Sequence, residues 1–515
     1  MKNIHILIVF LVLAYNSNIR AQNESIINLI IEEASKNSQL EILGQELLDG
    51  IGPRLVGTPQ MKNAHDWAVN KYKQWGINSR SEKFGTWRGW ERGITHIDMV
   101  HPRVQSLKGT QLAWSPSTSD KGIRAEVIVI PEIKDSLDFV KWLPSVKNKI
   151  VLISKLEPTG RPDYNWKEFA TQDSFEKMKL ERKKSSELWN QNIRNTGYSR
   201  RNIHKPLEEH GAAAIISSYW SKGFGVNKIF SARTKKIPTI DLELEDYTMI
   251  YRLTLRGENP ILEINSKSKE LGEVPTFNTI GEIKGVENPD QYVILSAHFD
   301  SWDGGTGATD NGTGSLVMME AMRVLKKVYP NPKRTILVGH WGSEEQGLNG
   351  SRAFVEDHPD IIKNIQAVFN QDNGTGRVVN ISGQGFLNSY NYIGRWLNKV
   401  PEQINKHIET IFPGSPSRGG SDYASFVAAG VPAFSLSSLD WSYRNYTWHT
   451  NRDTYDKIIF DDVRSNVILT AILTYMASED QQTTSREKSI LPLDKRTGKK
   501  MNWPSQRPSN RKGGY

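Results

Sequence analysis

The chain has 515 residues, a formal net charge of +9 and no cysteine. This length exceeds that of one small domain and suits two or three units with sizeable cores. The lack of cysteine excludes a disulfide framework, a thiol nucleophile and a lipoprotein anchor.

Residues 1–21 have the pattern of a secretory signal peptide. Lys2 is positively charged, residues 4–15 (IHILIVFLVLAY) form an apolar run, and Ala21 is a small residue suited to cleavage. The run is short for a membrane span, and no later segment approaches about 18 consecutive apolar residues. We therefore expect export to the periplasm or the extracellular space, with no membrane contact after cleavage near Ala21.

The positive charge is concentrated at the two ends of the chain. Lys2 and Arg20 are the charged residues of the signal segment, and residues 485–515 contain nine Lys or Arg against two acidic residues. Residues 22–484 are therefore neutral overall, which does not indicate nucleic-acid binding. Residues 481–515 are rich in Pro, Gly, Lys and Arg without a helical or strand period, so we predict a basic mobile tail.

The sequence pattern changes twice along residues 22–480. Residues 22–107, the N-terminal part of the predicted main domain, begin with helical patterns separated by the Gly- and Pro-containing loop LLDGIGPRLVGTP. Residues 108–266 contain short β-rich runs and one highly charged helical stretch, which predicts an inserted β-rich domain. In residues 267–480 strands alternate with helices, which predicts an α/β fold with a mixed, largely parallel sheet flanked by helices.

Four strand ends of this last part carry two histidines and five carboxylates. They are His298, Asp300, Asp310, Glu344, Glu345, Asp372 and His449. No Lys or Arg is interleaved in the first three clusters, so the carboxylates would repel one another unless cations neutralised them. A pair of divalent cations resolves this conflict, and nitrogen and oxygen ligands without thiolate favour Zn²⁺, with Mn²⁺ or Co²⁺ as substitutes.

Each of these residues also has a simpler local explanation. Asp310-Asn311-Gly312 is typical of a turn, and residues 343–346 (SEEQ) are a capping box that predicts a helix opening at Ser343. His340, within the strand, is interpreted as an interior residue. The local explanations would all have to hold at one edge of one sheet, so the metal site is the better hypothesis.

Six motifs resemble those of the di-zinc exopeptidases, which include bacterial leucyl aminopeptidases, glutamate carboxypeptidase and carboxypeptidase Q. They are AHFDS, GATDNGTGS, GSEEQGLNGS, NQDNG, GGSDYASFVAAGVPA and WHTNRDTYD. The twelve-residue step from His298 to Asp310 and the segments LLDGIGPRLVGTP and FGTWRGWERG are most like carboxypeptidase Q. The resemblance covers residues 40–475 and implies a zinc-exopeptidase fold with a protease-associated-like domain inserted at residues 108–266.

The resemblance implies a role for each site residue. Two Zn²⁺ per chain would have five ligands, with His298 and Asp372 on one ion, Glu345 and His449 on the other, and Asp310 shared by both. Asp300 would accept the imidazole N–H of His298 and fix its tautomer. Glu344 would be the general base that activates water for hydrolysis of dipeptides or short peptides. The peptide bond between Asp310 and Asn311 is expected to be cis.

Several properties stay open at this point. Trp448, Tyr446 or a backbone amide could stabilise the oxyanion, Ser421 and Asp422 could shape the pocket, and Arg418 could pair with a substrate carboxylate or form a structural salt bridge. The substrate could be recognised by its amino or its carboxyl end. Relatives are often dimers, so a homodimer is one option. A single-zinc glutaminyl cyclase and a catalytically inactive binding protein are the alternative functions.

Overall fold

The structure is a computed structural model that describes residues 24–372 and 374–514. The predicted signal peptide lies outside these residues. Within the described ranges, no helix is long and apolar enough to cross a membrane.

Helices and strands alternate along much of the chain. The α-helices, in chain order, are α1 (residues 24–36), α2 (Leu40–Gly44), α3 (Pro59–Gln74), α4 (Ser136–Trp142), α5 (Asp163–Phe169), α6 (Gln172–Asn195), α7 (His204–Glu209), α8 (Leu244–Leu255), α9 (Thr313–Val328), α10 (Asn349–Asp357), α11 (Pro359–Lys363), α12 (Ser389–Leu397), α13 (Glu402–Asn405), α14 (Tyr423–Ala428), α15 (Tyr443–Tyr446) and α16 (Phe460–Glu479). The strands are β1 (Asn78–His101), β2 (Gln105–Ser106), β3 (Gly109–Gln111), β4 (Ile123–Val129), β5 (Ile150–Leu152), β6 (Ala214–Ser217), β7 (Thr239–Leu242), β8 (Ile261–Ile283), β9 (Asn288–His298), β10 (Arg334–Trp341), β11 (Ile365–Asn370), β12 (Val378–Ser382), β13 (Glu409–Ile411), β14 (Ala433–Ser438) and β15 (Lys512–Gly513). Short π or 3₁₀ turns are Gln45–Ile51, Leu143–Val146, Ala308–Gly312 and Tyr455–Lys457.

The main sheet has the strand order β13-β12-β14-β11-β9-β10-β8. Strands β14, β11, β9 and β10 run parallel to one another, whereas β8 and β12 join this group antiparallel. The prediction of a mixed, largely parallel sheet is confirmed. The carboxyl ends of β14, β11, β9 and β10 consequently lie along one edge, where open α/β sheets bind their ligands.

A long antiparallel ribbon of β1 and β8 connects the main sheet to a second group of strands. The order continues from β8 through β4, β5, β6 and β7 to β3, and β4 to β7 are parallel. These strands have their own hydrophobic clusters, and the charged helical stretch is α6. The assignment of residues 108–266 as an inserted protease-associated-like domain stays a prediction.

Helices cover both faces of the main sheet. On one face α9 and α16 form part of the largest hydrophobic cluster, with side chains such as Leu316 and Leu469 fully buried. On the other face Trp341, Phe354 and Phe426 pack together from β10, α10 and α14. Burial of each such large apolar side chain contributes about 1.5–3 kcal/mol. The sheet edge is therefore a rigid base for the polar residues that extend from it.

The C-terminal segment is packed against the main domain, which corrects the prediction of a mobile tail. The Trp503 ring lies 5.4 Å from that of Phe386, and Arg511 donates hydrogen bonds to both carboxylate oxygens of Asp357 at 2.8 Å. Strand β15 pairs in parallel with β1. These anchors are single residues spread over an aperiodic segment, so no sequence period reveals them.

Candidate metal centre

The edge of the main sheet brings the predicted ligands together. His298 is the last residue of β9, and Asp372 follows β11 by two residues. Glu344 and Glu345 follow β10, and His449 lies in the loop after β14. Because β14, β11, β9 and β10 are consecutive in the sheet, residues far apart in sequence meet at one place.

Two clusters share the carboxylate of Asp310. His298 Nε2 lies 3.3 Å from Asp310 Oδ1 and 3.2 Å from Asp372 Oδ1. On the other side, His449 Nε2 lies 3.3 Å from Asp310 Oδ2 and 3.0 Å from Glu345 Oε2. Within each cluster, potential ligand atoms lie within 4.8 Å of one another. The two oxygens of Asp310 thus face different histidines, as a bridging carboxylate requires.

The clusters concentrate buried negative charge. Burial and the neighbouring charge of Asp310 raise the pKa of Glu345 to about 7, and burial and Asp372 raise the pKa of Glu344 well above its ordinary value. Burial opposes the charge of His449, yet Glu345 and Asp310 raise its pKa to about 10. Among the described residues, none donates a hydrogen bond to the buried Oε1 of Glu345. This donor set fits a divalent cation, which would relieve the repulsion and ligate the unpaired oxygen.

The contacts of Asp300 differ from those predicted. His298 Nδ1 lies 3.0 Å from the backbone oxygen of Asp300 but 3.7 Å from its carboxylate Oδ1. The carboxylate instead accepts hydrogen bonds from the backbone N–H groups of Glu344 at 3.0 Å and Glu345 at 3.2 Å. A main-chain carbonyl therefore orients the imidazole, and the Asp300 carboxylate holds the turn that presents the two glutamates.

The same turn corrects the predicted helix start. Ser343 has a φ of 60°, and α10 begins at Asn349 rather than at Ser343. A left-handed residue does not have the extended backbone of an N-cap, and the N–H of Glu345 is already bonded to Asp300. The capping box is thus replaced by a tight turn that exposes Glu344 and Glu345 to the metal site.

Three further predictions have structural outcomes. The peptide bond between Asp310 and Asn311 is cis, as predicted. Arg418 donates a hydrogen bond to the backbone oxygen of Asn502 in the C-terminal segment, so its observed partner is structural. The hydroxyl of Tyr446 lies 3.0 Å from that of Tyr164.

Comparison with known proteins agrees with this geometry. The profile of peptidase family M28 matches residues 278–472. Carboxypeptidase Q from Homo sapiens is 26% identical over 471 residues, and the one from Bos taurus is 28% identical over 471 residues; each alignment covers 90% of both chains. The M28 match over residues 278–472 and the carboxypeptidase Q relatives confirm the predicted family resemblance and the predicted enzyme class, a zinc metallopeptidase.

Solved structures of similar fold support the family M28 architecture. A peptidase M28 precursor from Shewanella amazonensis SB2B has a TM-score of 0.65 at 24% identity, covering 92% of this chain and 99% of that one. The zinc aminopeptidase BSAP from Bacillus subtilis has a TM-score of 0.56 at 20% identity, covering 87% and 96%. At these identities the likeness concerns the fold.

Asp453 holds the loop that carries Asp310, a role that was not predicted. Its carboxylate accepts hydrogen bonds from the backbone N–H groups of Thr309 at 2.7 Å and Asp310 at 3.0 Å. The loop that carries His449 therefore supports the loop that carries Asp310. The one available signal in the sequence was its position four residues after His449 in the WHTNRDTYD motif.

Arg54 is a second supporting residue that was not predicted. It is 0% exposed and donates hydrogen bonds to four backbone oxygens. These oxygens belong to Phe299, at 2.7 Å from the guanidinium nitrogen that donates to it, to Thr306 and Gly307, each at 2.9 Å, and to Gly52, at 3.2 Å. Three of these lie between His298 and Asp310, so the guanidinium holds both arms of the loop. Its motif, LLDGIGPRLVGTP, contributed to the resemblance to the di-zinc exopeptidases, but it did not indicate a contact with the loop between His298 and Asp310.

Proposed function

We propose that the protein is an exported di-zinc exopeptidase that hydrolyses dipeptides or short peptides. The observation that carries this proposal is the pair of clusters that share Asp310. His298 and Asp372 would hold one zinc ion, Glu345 and His449 the other, and Asp310 both. The relatives named carboxypeptidase Q, and the zinc aminopeptidase of similar fold, support an exopeptidase.

Glu344 is the proposed general base. Bound zinc would supply a water of lowered pKa and polarise the scissile carbonyl. Glu344 takes the proton of the attacking water and passes it to the leaving amine. Its neighbour Glu345 faces His449, and Asp300 fixes the backbone of both glutamates, so one turn presents a base and a ligand side by side.

The variant Glu344→Gln tests the assigned base. We expect kcat/KM on a panel of dipeptides and aminoacyl arylamides to fall at least about 100-fold. Zinc content, measured by mass spectrometry, should stay at two ions per chain. The matched control is Glu402→Gln, an exposed residue of α13, which should leave both quantities unchanged.

Zinc content also separates the alternatives. A content near one zinc ion per chain would favour the glutaminyl cyclase, and a protein without bound zinc would favour the inactive binding protein. Activity retained by Glu344→Gln with its full metal content would show that another group is the base.

Export is proposed from the charged, apolar and small residues of positions 1–21. N-terminal sequencing of the mature protein should find cleavage after Ala21, and an intact Met1 would contradict it. The absence of nucleic-acid and membrane partners, and a homodimeric state, stay predictions.

A further inference from the structure

A cavity of about 400 Å³ is lined in part by Trp448, which precedes His449 in the sequence. Its lining comes from both parts of the structure. Trp448 belongs to the loop after β14, while Lys228, Phe230 and Trp220 come from the segment between β6 and β7. The second group of strands therefore contributes one wall of this cavity.

The aromatic wall connects this cavity to His449. The rings of Trp448 and His449 lie 4.3 Å apart, and those of Phe230 and His449 lie 5.2 Å apart. The N–H of Ile229 donates to the backbone oxygen of His449 at 2.7 Å. The segment that carries Lys228 is thus attached directly to the loop of a proposed zinc ligand.

Lys228 is a buried cation in this wall. The residue is 8% exposed, and its Nζ lies 4.1 Å from the centre of the Trp448 ring. Its ammonium forms no hydrogen bond or ion pair with any residue in the described ranges 24–372 and 374–514. Burial lowers the pKa of Lys228 to about 8. An ammonium that lines a cavity and contacts an indole ring, with no carboxylate of the described residues paired to it, favours an anionic ligand.

Nearby carboxylates do not fill that role. Asp241 Oδ1 accepts the backbone N–H of Lys228 at 3.1 Å, and Asp241 Oδ2 accepts that of Tyr219 at 2.8 Å. Glu157, which also lines the cavity, is paired with Lys155 at 2.6 Å. The charge of Lys228 thus stays available to the cavity.

We propose that Lys228 binds the free carboxylate of the peptide, so that the enzyme selects dipeptides or short peptides by their free C-terminus. This inference rests on the proposed function. One peptide residue spans about 3.5 Å, and Trp448 packs against both the Lys228 ammonium and the His449 ring. Burial lowers the pKa of Lys228, while the charge of Asp310, the shared ligand of the proposed zinc site, acts on Lys228 in the opposite direction. The ammonium is therefore close enough to the proposed zinc site to attract a carboxylate one residue beyond the scissile bond. The positively charged amino end of a substrate would be repelled there.

The test compares alanyl-alanine with its C-terminal amide, which lacks the carboxylate charge. For the wild type we expect kcat/KM to be at least about 30-fold higher for the free acid than for the amide. Lys228→Met keeps an unbranched stem against Trp448, and it should abolish this preference by raising KM for the acid while the amide is unaffected. Lys228→Arg should retain most of the preference. Lys183→Met, which removes a lysine that is 72% exposed on α6, is the matched control and should behave as the wild type.

A binding measurement separates this inference from the proposed function. Calorimetry on Glu344→Gln should show tighter binding of alanyl-alanine than of the amide, and Lys228→Met in that background should remove the difference. If peptides are hydrolysed with dependence on Glu344 but acid and amide are equivalent, the role of Lys228 is wrong while the exopeptidase stands. If binding depends on Lys228 but no peptide is hydrolysed, the exopeptidase is wrong and the carboxylate site stands. Equal losses on acid and amide in Lys228→Met would also overturn the inference.

Discussion

Replacement of Arg54 by methionine tests whether a buried guanidinium holds the metal loop in place. The substitution keeps an unbranched apolar stem but removes all hydrogen-bond donors from a side chain that is fully buried. The backbone oxygens of Phe299, Thr306, Gly307 and Gly52 would lose their donor. Three of those oxygens belong to the segment between His298 and Asp310.

The expected change in the free energy of unfolding follows from two opposing contributions. Each of the four hydrogen bonds has a charged donor and contributes about 1.5 kcal/mol, at the lower end of the range for such bonds. Burial lowers the pKa of Arg54 to about 10, and this desolvation offsets about 3 kcal/mol of the hydrogen-bond contribution. Arg54→Met should therefore lower the free energy of unfolding by about 3 kcal/mol.

Equilibrium urea unfolding of the metal-free protein measures this loss, with tryptophan fluorescence and far-UV circular dichroism required to give coincident transitions. The matched control is Arg395→Met. Arg395 is 45% exposed and pairs with Asp480 at 2.7 Å, so its loss should cost under about 1 kcal/mol. If the two variants are equally stable, the hydrogen bonds of Arg54 do not hold the loop.

Further predictions concern the metal loop, the histidines and the tail. Asp453→Asn should weaken zinc binding about 10- to 100-fold in chelator competition, because an amide supplies one acceptor oxygen where the carboxylate supplies two; unchanged affinity would contradict the support role. Burial lowers the pKa of His65 and of His340 to about 3. Each neutral histidine therefore contributes its full stabilisation above the unfolded pKa of about 6.5. As the pH falls from there toward the folded pKa, the free energy of unfolding decreases by about 1.4 kcal/mol per pH unit for each histidine. His340→Gln should flatten the acid side of a plot of unfolding free energy against pH, and an unaltered slope would refute the neutral buried histidine. Trp503→Ala should speed tryptic cleavage of the C-terminal segment at least about tenfold by mass spectrometry, whereas equal rates would show that Trp503 does not anchor it.

Much of the candidate site could be predicted because its residue types stand in local context. His298, Glu345 and Asp372 each lie at or just after a strand that is apolar and easily recognised. Parallel strands end at a common edge, so these side chains could be expected to meet. The resemblance to the di-zinc exopeptidases then implied Asp310 as the shared ligand, and the two oxygens of Asp310 lie near different histidines.

The predictions that differ from the structure concern contacts between distant segments. Asp300 was expected to hold His298, but its carboxylate reaches the backbone after β10, and the same contact prevents a helix from opening at Ser343. The C-terminal segment has no period because single side chains such as Trp503 anchor it. None of these long-range contacts alters the hydrophobic period or the composition of the two segments that form it. The sequence of either segment alone therefore does not indicate the contact.

The sequence by itself determined the chemistry that we propose for this protein: the kinds of candidate ligand, their place at strand ends and the glutamate beside them. The tertiary structure decided which groups support that chemistry and which substrate end it can favour. Arg54 and Lys228 are ordinary basic residues in sequence, and only folding buries one beneath the ligand loop and the other beside Trp448. Burial is a property of the assembled chain, and burial turns an ordinary charge into a structural support or a binding group.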